Sequence, residues 1–209
     1  MDHGLSTIHY LCIMRLEQLV GQVTDLFNTL DAEVGQFQAA TSLKCAPGCG
    51  KCCLKPNIEA TPLEFLPLAL HLYRQGRAWE WFERLKTADD GMCPVLTPTT
   101  EANGRCSEYK HRGLICRLFG YSARANKHGV RELVTCTIVK DQTAAYQEAS
   151  RRINTDLTVP MINSYYMQLR GMNHELADVR IPVNIAIRKA IETVLHYYAY
   201  REEAGEVIS

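Results

Sequence analysis

The chain holds nine cysteines, and eight of them fall between Cys45 and Cys136. Four crowd one short stretch as Cys45-x3-Cys49-x2-Cys52-Cys53, and Cys93, Cys106, Cys116 and Cys136 follow singly. Thiolates are soft metal ligands, and several of them converge in one loop only at a cost unless a positive charge sits between them. The expected chemistry is therefore that of a metal ion or cluster. Structural zinc sites usually show two cysteine pairs separated by a spacer. One dense group followed by single cysteines leans instead toward iron–sulfur ligation, with a 4Fe-4S cluster as the expected cofactor and zinc as the alternative. Eight thiols suffice for two four-thiolate sites, or for one site with spares. In extended backbone, successive side chains point to opposite faces, so Cys52 and Cys53 are not expected to serve one ion together: one would face a first site and the other a second site or the core. Cys12 stands alone in a helical stretch and reads as a small buried hydrophobe.

Other side chains qualify the site. Lys44, Lys51, Arg105 and Arg117 each lie directly beside a cysteine, where cations would offset the charge of a thiolate cluster. The plain alternative is that they are solvated loop residues. Arg112 and Arg117 are the candidate cofactor-binding residues outside the cysteines, as partners for an anionic substrate or for cluster sulfurs. A structural ion pair would account for them equally well. His71, His111 and His128 are candidate bases if a cysteine acts as a nucleophile, but no spacing pairs one of them with a chosen thiol. His111, close to Cys116, would also serve as a mixed ligand. His128 falls at a turn tip.

These residues need positioning elements. Leu16, Leu19, Val23, Leu26, Leu30, Val34 and Phe37 recur at three- and four-residue steps, which predicts one amphipathic helix from about Ser6 to Ala39. Pro47, Gly48, Gly50 and Pro56 make the cysteine loop irregular. Thr61-Pro62-Leu63-Glu64 carries a Thr N-cap, a Pro at the first helical position and a Glu at the third. That helix should run to about Arg74 and stop at Gly76. A second one follows through Trp79, Phe82 and Leu85 and ends before Asp89-Asp90-Gly91, with Trp79 and Trp81 as packing residues. Leu118–Arg124, the turn Asn126–Gly129 and Val130–Val139 read as a β-hairpin. Helices are expected again over Asp141–Ile153, after Thr158-Val159-Pro160 with Ile162, Tyr165, Tyr166 and Leu169 inward, and from Pro182 with Val183, Ile187, Ile191, Val194 and Tyr198 inward. The expectation is a mainly α protein with a small β-hairpin, a helical frame around a cysteine-rich metal-binding insert. It forms a single domain over 1–209: an N-terminal helix (1–40), the cysteine-cluster region (41–139) and C-terminal helices (140–209).

Apolar residues make up 46% of the chain and charged residues 22%, which excludes a disordered or collagen-like chain. With 23 basic and 23 acidic residues, no bulk charge draws it to nucleic acid. No basic stretch precedes the first apolar residues, which argues against a secretory signal. No apolar run is long enough to span a membrane. A cytoplasmic location is expected, where clustered thiols stay reduced. The expected partner is a redox or protein partner of unknown identity, with neither nucleic acid nor membrane. Whether the protein is an enzyme, such as an iron–sulfur oxidoreductase, is left open by the residues.

Two known patterns bear on this reading. Cys45-x3-Cys49-x2-Cys52 has the spacing of the radical-SAM motif, but the repeated strand–helix alternation of that fold is missing, and Lys51 stands where an aromatic is usual. The fuller pattern resembles the YkgJ-type cysteine-cluster family, a zinc- or iron-chelating domain. It comprises CAPGCGKCC (45–53), Thr61 to Glu64, Cys93-Pro94 with Leu96, and Gly104-Arg105-Cys106-Ser107-Glu108-Tyr109. Arg112, Cys116-Arg117 with Phe119, and Cys136 complete it. Gly113 departs from the family's usual Pro. The resemblance implies metal chelation through the eight cysteines; members are often labelled iron–sulfur oxidoreductases without an established reaction. Flagellin lysine N-methylases carry a similar cysteine motif, but no glycine-rich nucleotide loop follows a strand here.

Overall fold

The computed structural model describes residues 4–45, 49–87, 93–97 and 104–203, with side chains from Leu16 to Arg201. The side chain of Cys12, Pro47-Gly48 and the Asp89–Gly91 stop lie outside the described residues. Helix α1 (Gly4–Thr41) opens the chain. Its predicted stripe is inward: Leu16, Val23, Leu26, Leu30, Val34 and Phe37 are buried, and Leu19 packs at the margin. Each such side chain contributes about 1.5–3 kcal/mol on full burial.

The expected helix after Thr61 starts differently. Leu63–Phe65 form a 3-10 turn, and α2 (Leu66–Arg74) follows. Thr61 does not cap with its hydroxyl; that group donates to Glu64 instead. Gly76, at a φ of 69°, takes the left-handed position after α2 that glycine occupies without strain. Helix α3 (Ala78–Lys86) is rotated from the predicted face: Ala78, Trp81 and Leu85 are buried, whereas Trp79 is 62% exposed. Trp79 therefore does not pack in the core. Its ring lies against Phe82 and the Lys86 ammonium on the solvent side.

The middle of the chain is compact and irregular. Short strands β1 (Glu59–Ala60), β2 (Leu96–Thr97) and β3 (Arg105–Cys106) precede α4 (Leu114–Leu118). The predicted hairpin is β4 (Ser122–Ala125) with β5 (Arg131–Val134), antiparallel, with Ser122 opposite Val134. The helix expected over Asp141–Ile153 is α6 (Thr143–Arg152), while α5 (Thr137–Lys140) stands where the predicted hairpin strand would run on to Val139; the strand ends at Val134. Gln142 precedes α6, and its side chain is committed elsewhere. Helices α7 (Ile162–Met172) and α8 (His174–Ala177) lead to β6 (Ile181–Pro182) and α9 (Val183–Glu203).

Two further ladders, β2 with β3 and β1 with β6, are each two residues long. Pairs this short carry no alternating pattern to read from sequence. In α9, Val183, Ile187, Ile191, Val194 and Tyr198 are buried as predicted, and the helix packs on α2 and α3. The apolar residues form two clusters. The larger joins α1, α2, α3, α7 and α9; the smaller gathers Phe37, Leu43, Ala123, Leu133, Val139, Ala149, Ile153 and Val159.

Candidate metal centre

Four local devices bring the cysteine segments together. The Cys53 amide donates to the Gly50 carbonyl (2.9 Å), curling the loop into a tight turn. Gly50 must be small, because a Cβ there would stand 2.7 Å from the Gly104 carbonyl oxygen and 2.9 Å from Leu96 Cδ1. This close approach sets the loop against β2 and β3, and so against Cys106. The Cys93 amide donates to the Cys53 carbonyl (2.9 Å), and Leu96 pairs with Cys106 across the ladder. On the other side, the Cys45 amide donates to the Tyr121 hydroxyl (2.6 Å). Gln142 grips the neighbouring residue through both ends of its amide, giving Nε2–H to the Lys44 carbonyl (2.8 Å) and accepting the Lys44 amide (3.3 Å). The grip, made just ahead of α6, docks the Cys45 segment near Cys136.

The result is one cavity of about 890 Å³ lined by Cys45, Cys49, Cys52, Cys53, Cys93, Cys106, Cys116 and Cys136. Their electrostatic neighbours divide them into two groups. Cys45 feels Cys49, Cys136 and Cys52; Cys53 feels Cys52, Cys93 and Cys106. Cys116 joins the second group, feeling Cys53 and Cys106. Cys52 stands between the groups, and its sulfur lies 3.9 Å from that of Cys53. The expectation that these two side chains diverge is thus corrected. It assumed extended backbone, and the turn at Gly50–Cys53 puts both sulfurs on one side.

Burial and neighbouring thiols make these thiols weak acids. Burial, then the charge and hydrogen bond of Cys49, push the Cys45 thiol up to about 11. The Cys52 hydrogen bond pulls Cys53 down, but Cys93, burial and nearby thiols outweigh it and push Cys53 up to about 12. The hydrogen bond to Cys53 and burial hold Cys52 far above its usual range. Burial, then the Glu64 carboxylate, do the same to Cys116. Burial raises Cys106, against the opposing pull of the Glu108 amide and the Arg112 guanidinium.

Basic side chains surround the sulfurs: Lys44, Lys51, Lys55, Arg105 and Arg112 all line the cavity. Arg112 lies 4.2 Å over the Tyr109 ring and 3.6 Å from Asp31. Its Nε is buried with no acceptor among the described residues. Arg117 is placed elsewhere. It is buried, ion-paired to Asp31, and donates to the Lys110 carbonyl (2.7 Å) and the Arg112 carbonyl (3.1 Å). It lies over the Phe27 ring and lines a separate, smaller cavity. Its charge is spent on joining α1 to the segment before α4.

Glu64 is the buried residue whose role the cysteine spacing did not reveal. Its Oε1 accepts the Thr61 amide (2.7 Å) and hydroxyl (3.1 Å), and its Oε2 accepts the Ile115 amide (2.7 Å). One carboxylate thus ties the turn before α2 to the start of the helix that carries Cys116. Read along the sequence, it was only a local capping residue. Asp31, Tyr121 and Gln142 likewise hold the site; Asp31 lies off the apolar stripe of α1, and the other two carried no signal.

The three candidate histidines separate. His128 is exposed at the hairpin tip. The His71 and His111 rings stack 3.9 Å apart, and each has a nitrogen 3.8 Å from Glu108 Oε2. Burial, then the His71 charge, lower the His111 pKa.

A cavity lined by eight soft donors is the site of a metal-binding protein. The chain belongs to the CxxCxxCC family, described as "Putative zinc- or iron-chelating domain", whose model matches residues 44–149, just over half of the chain. The matched span contains all eight clustered cysteines. No curated protein and no solved structure matches the chain. Among the described residues, no helix is long and apolar enough to cross a membrane.

Proposed function

We propose that the cysteine cavity holds an iron–sulfur cluster and that the protein works in electron transfer or a redox reaction. The observation that carries this reading is that eight cysteines line one open cavity of about 890 Å³. A lone tetrahedral zinc ion is wrapped by its ligands and needs no such space, whereas a cluster of several irons and sulfides fills one and spreads its thiolates over it. The donor chemistry suits the group: the thiols are soft, and the five basic side chains around them offset the negative charge of a thiolate-ligated cluster. Arg112, a residue of the cavity wall, has a buried Nε–H that lacks an acceptor among the described residues. A cluster sulfur would satisfy it, and such hydrogen bonds tune potential. When bound, the cluster would supply one-electron chemistry. Cys45, Cys49, Cys52, Cys53, Cys93, Cys106, Cys116 and Cys136 are the ligand pool. A reducing compartment such as the cytoplasm suits so many free thiols.

A specific observation favours a second reading. Two thiolates on one tetrahedral zinc, each about 2.3 Å from the metal, stand about 3.8 Å apart. The Cys52 and Cys53 sulfurs are 3.9 Å apart. Zinc bound by each group of thiols would organise an interaction surface and would do no redox work.

Anaerobic purification with iron, zinc and acid-labile sulfide counted per chain separates the two. Iron and sulfide in equal number, with a visible spectrum lost in Cys49→Ser, support the cluster. Zinc without sulfide or colour overturns it and establishes the second reading.

A further inference from the structure

Among the described residues outside the thiols, one group of side chains has metal-ligand character. His71, Glu108 and His111 place a nitrogen, an oxygen and a nitrogen within 4.8 Å of one another. The two edges from His71 Nε2 and His111 Nδ1 to Glu108 Oε2 are 3.8 Å. Three ligands at about 2.0–2.2 Å from a tetrahedral zinc stand about 3.3–3.5 Å apart, so these two edges need to shorten by only a few tenths of an ångström. The local fold explains the convergence. Glu108 and His111 flank a 3-10 turn closed by the His111 amide on the Glu108 carbonyl (2.9 Å), and residues three apart eclipse in that geometry. Helix α2 brings His71 to the same point, its ring stacked 3.9 Å from that of His111; a ring nitrogen ligates in its ring plane, so one ring must turn out of the stack for both to reach one ion.

The charges around the group are divided. Arg77 approaches Glu108 Oε1 at 3.7 Å, and both histidines face the other oxygen, Oε2. Lys110 and Arg117 add positive charge near His111, so only a ligand that bonds covalently to nitrogen and oxygen, rather than a loosely held cation, would be retained. The Glu108 side chain is 12% exposed. His111 lines both the thiol cavity and a smaller one of about 270 Å³, which His71 also lines. The group thus sits in the wall between the two.

We propose that His71, Glu108 and His111 form a second metal site, for a divalent transition-metal ion of the zinc or ferrous type. Two imidazoles and one carboxylate leave at least one coordination position open, as in sites that activate water or bind a small substrate. The smaller cavity gives that position space. No thiol takes part, so this proposal stands whichever metal the cysteines hold.

Cobalt(II) is the probe. The purified full-length protein, with its thiolate metal already loaded, is titrated with Co²⁺. The expected result is one further equivalent with weak visible bands and no sulfur-to-metal charge-transfer absorption. In His71→Gln, His111→Gln and Glu108→Gln its affinity should fall at least about tenfold, the scale at which even outer-shell partners act. Arg77→Gln, which removes the competitor for Glu108, should tighten it. Circular dichroism identifies any variant that fails to fold, and the remaining variants then decide. The proposal is overturned if the wild type takes up no further cobalt, if folded variants bind it as the wild type does, or if the added cobalt shows thiolate charge transfer.

Discussion

Glu64→Gln tests how the cysteine cavity is held. The close partners of this carboxylate are all donors: the Thr61 amide and hydroxyl on Oε1, and the Ile115 amide on Oε2. A Gln amide replaces one acceptor oxygen with an NH₂ group. In either orientation that NH₂ faces a backbone N–H, so one buried donor loses its acceptor. An unsatisfied buried donor costs about 1–3 kcal/mol, and the stranded NH₂ adds about as much. Burial raises the Glu64 pKa, so removing the charge returns part of its desolvation cost. We set the net loss at about 2 kcal/mol. At roughly 2–4 °C per kcal/mol for a chain of this size, Tm should fall by about 4–8 °C. Tyr166→Phe is the control. Its hydroxyl reaches Oε1 at only 3.5 Å, and its loss should cost about 0.5 kcal/mol. The assay is thermal unfolding of metal-free and metal-loaded protein. Because Ile115 adjoins Cys116, the stabilisation gained on loading should also shrink in Glu64→Gln. A Tm within about 1 °C of wild type would refute the argument that Glu64 clamps the two segments.

Three further outcomes follow from the geometry. Arg117→Met should lose about 2–4 kcal/mol, because it strands two carbonyls and removes a buried partner of Asp31; an unchanged urea midpoint would contradict this. The raised Cys45 and Cys53 thiols, about 11 and 12 against an ordinary value of 9.0, are protonated at neutral pH. Their raised pKa values stabilise the metal-free fold below pH 9.0, and that contribution is lost as pH rises through about 11 and 12. Metal binding must therefore expel protons, so apparent affinity should rise steadily with pH across the neutral range; calorimetry in buffers of different ionisation enthalpy counts them, and a pH-independent affinity would refute the point. Gly113 has a φ of −66°, which proline also adopts, but a Cβ there would stand 2.7 Å from Phe65 Cζ and 2.9 Å from Glu64 Oε2. Gly113→Pro should therefore destabilise by about 1–3 kcal/mol, and adding Phe65→Leu should recover part of the loss in Tm; equal melting of the single and double variants would rule out the steric account.

What could be read from sequence followed the range of the physics. The stripes of α1 and α9 were legible because one face of each helix buries every third or fourth residue. The cysteine spacing announced metal, because few other pressures place four thiols in one loop. The failures lie where a distant contact overrode a local pattern. Trp79 fits the helical period as well as Trp81 does, and only packing on α9 decides which turns inward. Arg117 stands beside a cysteine, but its partner is Asp31, 86 positions away. Cys52 and Cys53 were assigned to opposite faces on the premise of an extended chain, and a turn removed the premise. Gln142 belongs to a helical stretch by propensity, and leaves it to hold Lys44 98 positions away.

The cavity lies on the seam between the two apolar clusters. Cys93 is part of the larger one, with Cys53 and Cys106 packed against it, while Cys136 packs against the smaller. Helix α1 runs through both, Tyr121 packs against both, and α7 meets β4 across the same seam. A metal centre there would act as a rivet, adding bonds across a seam that side-chain packing already closes. Metal supply would then set how firmly the two halves hold together, as well as what chemistry the protein performs.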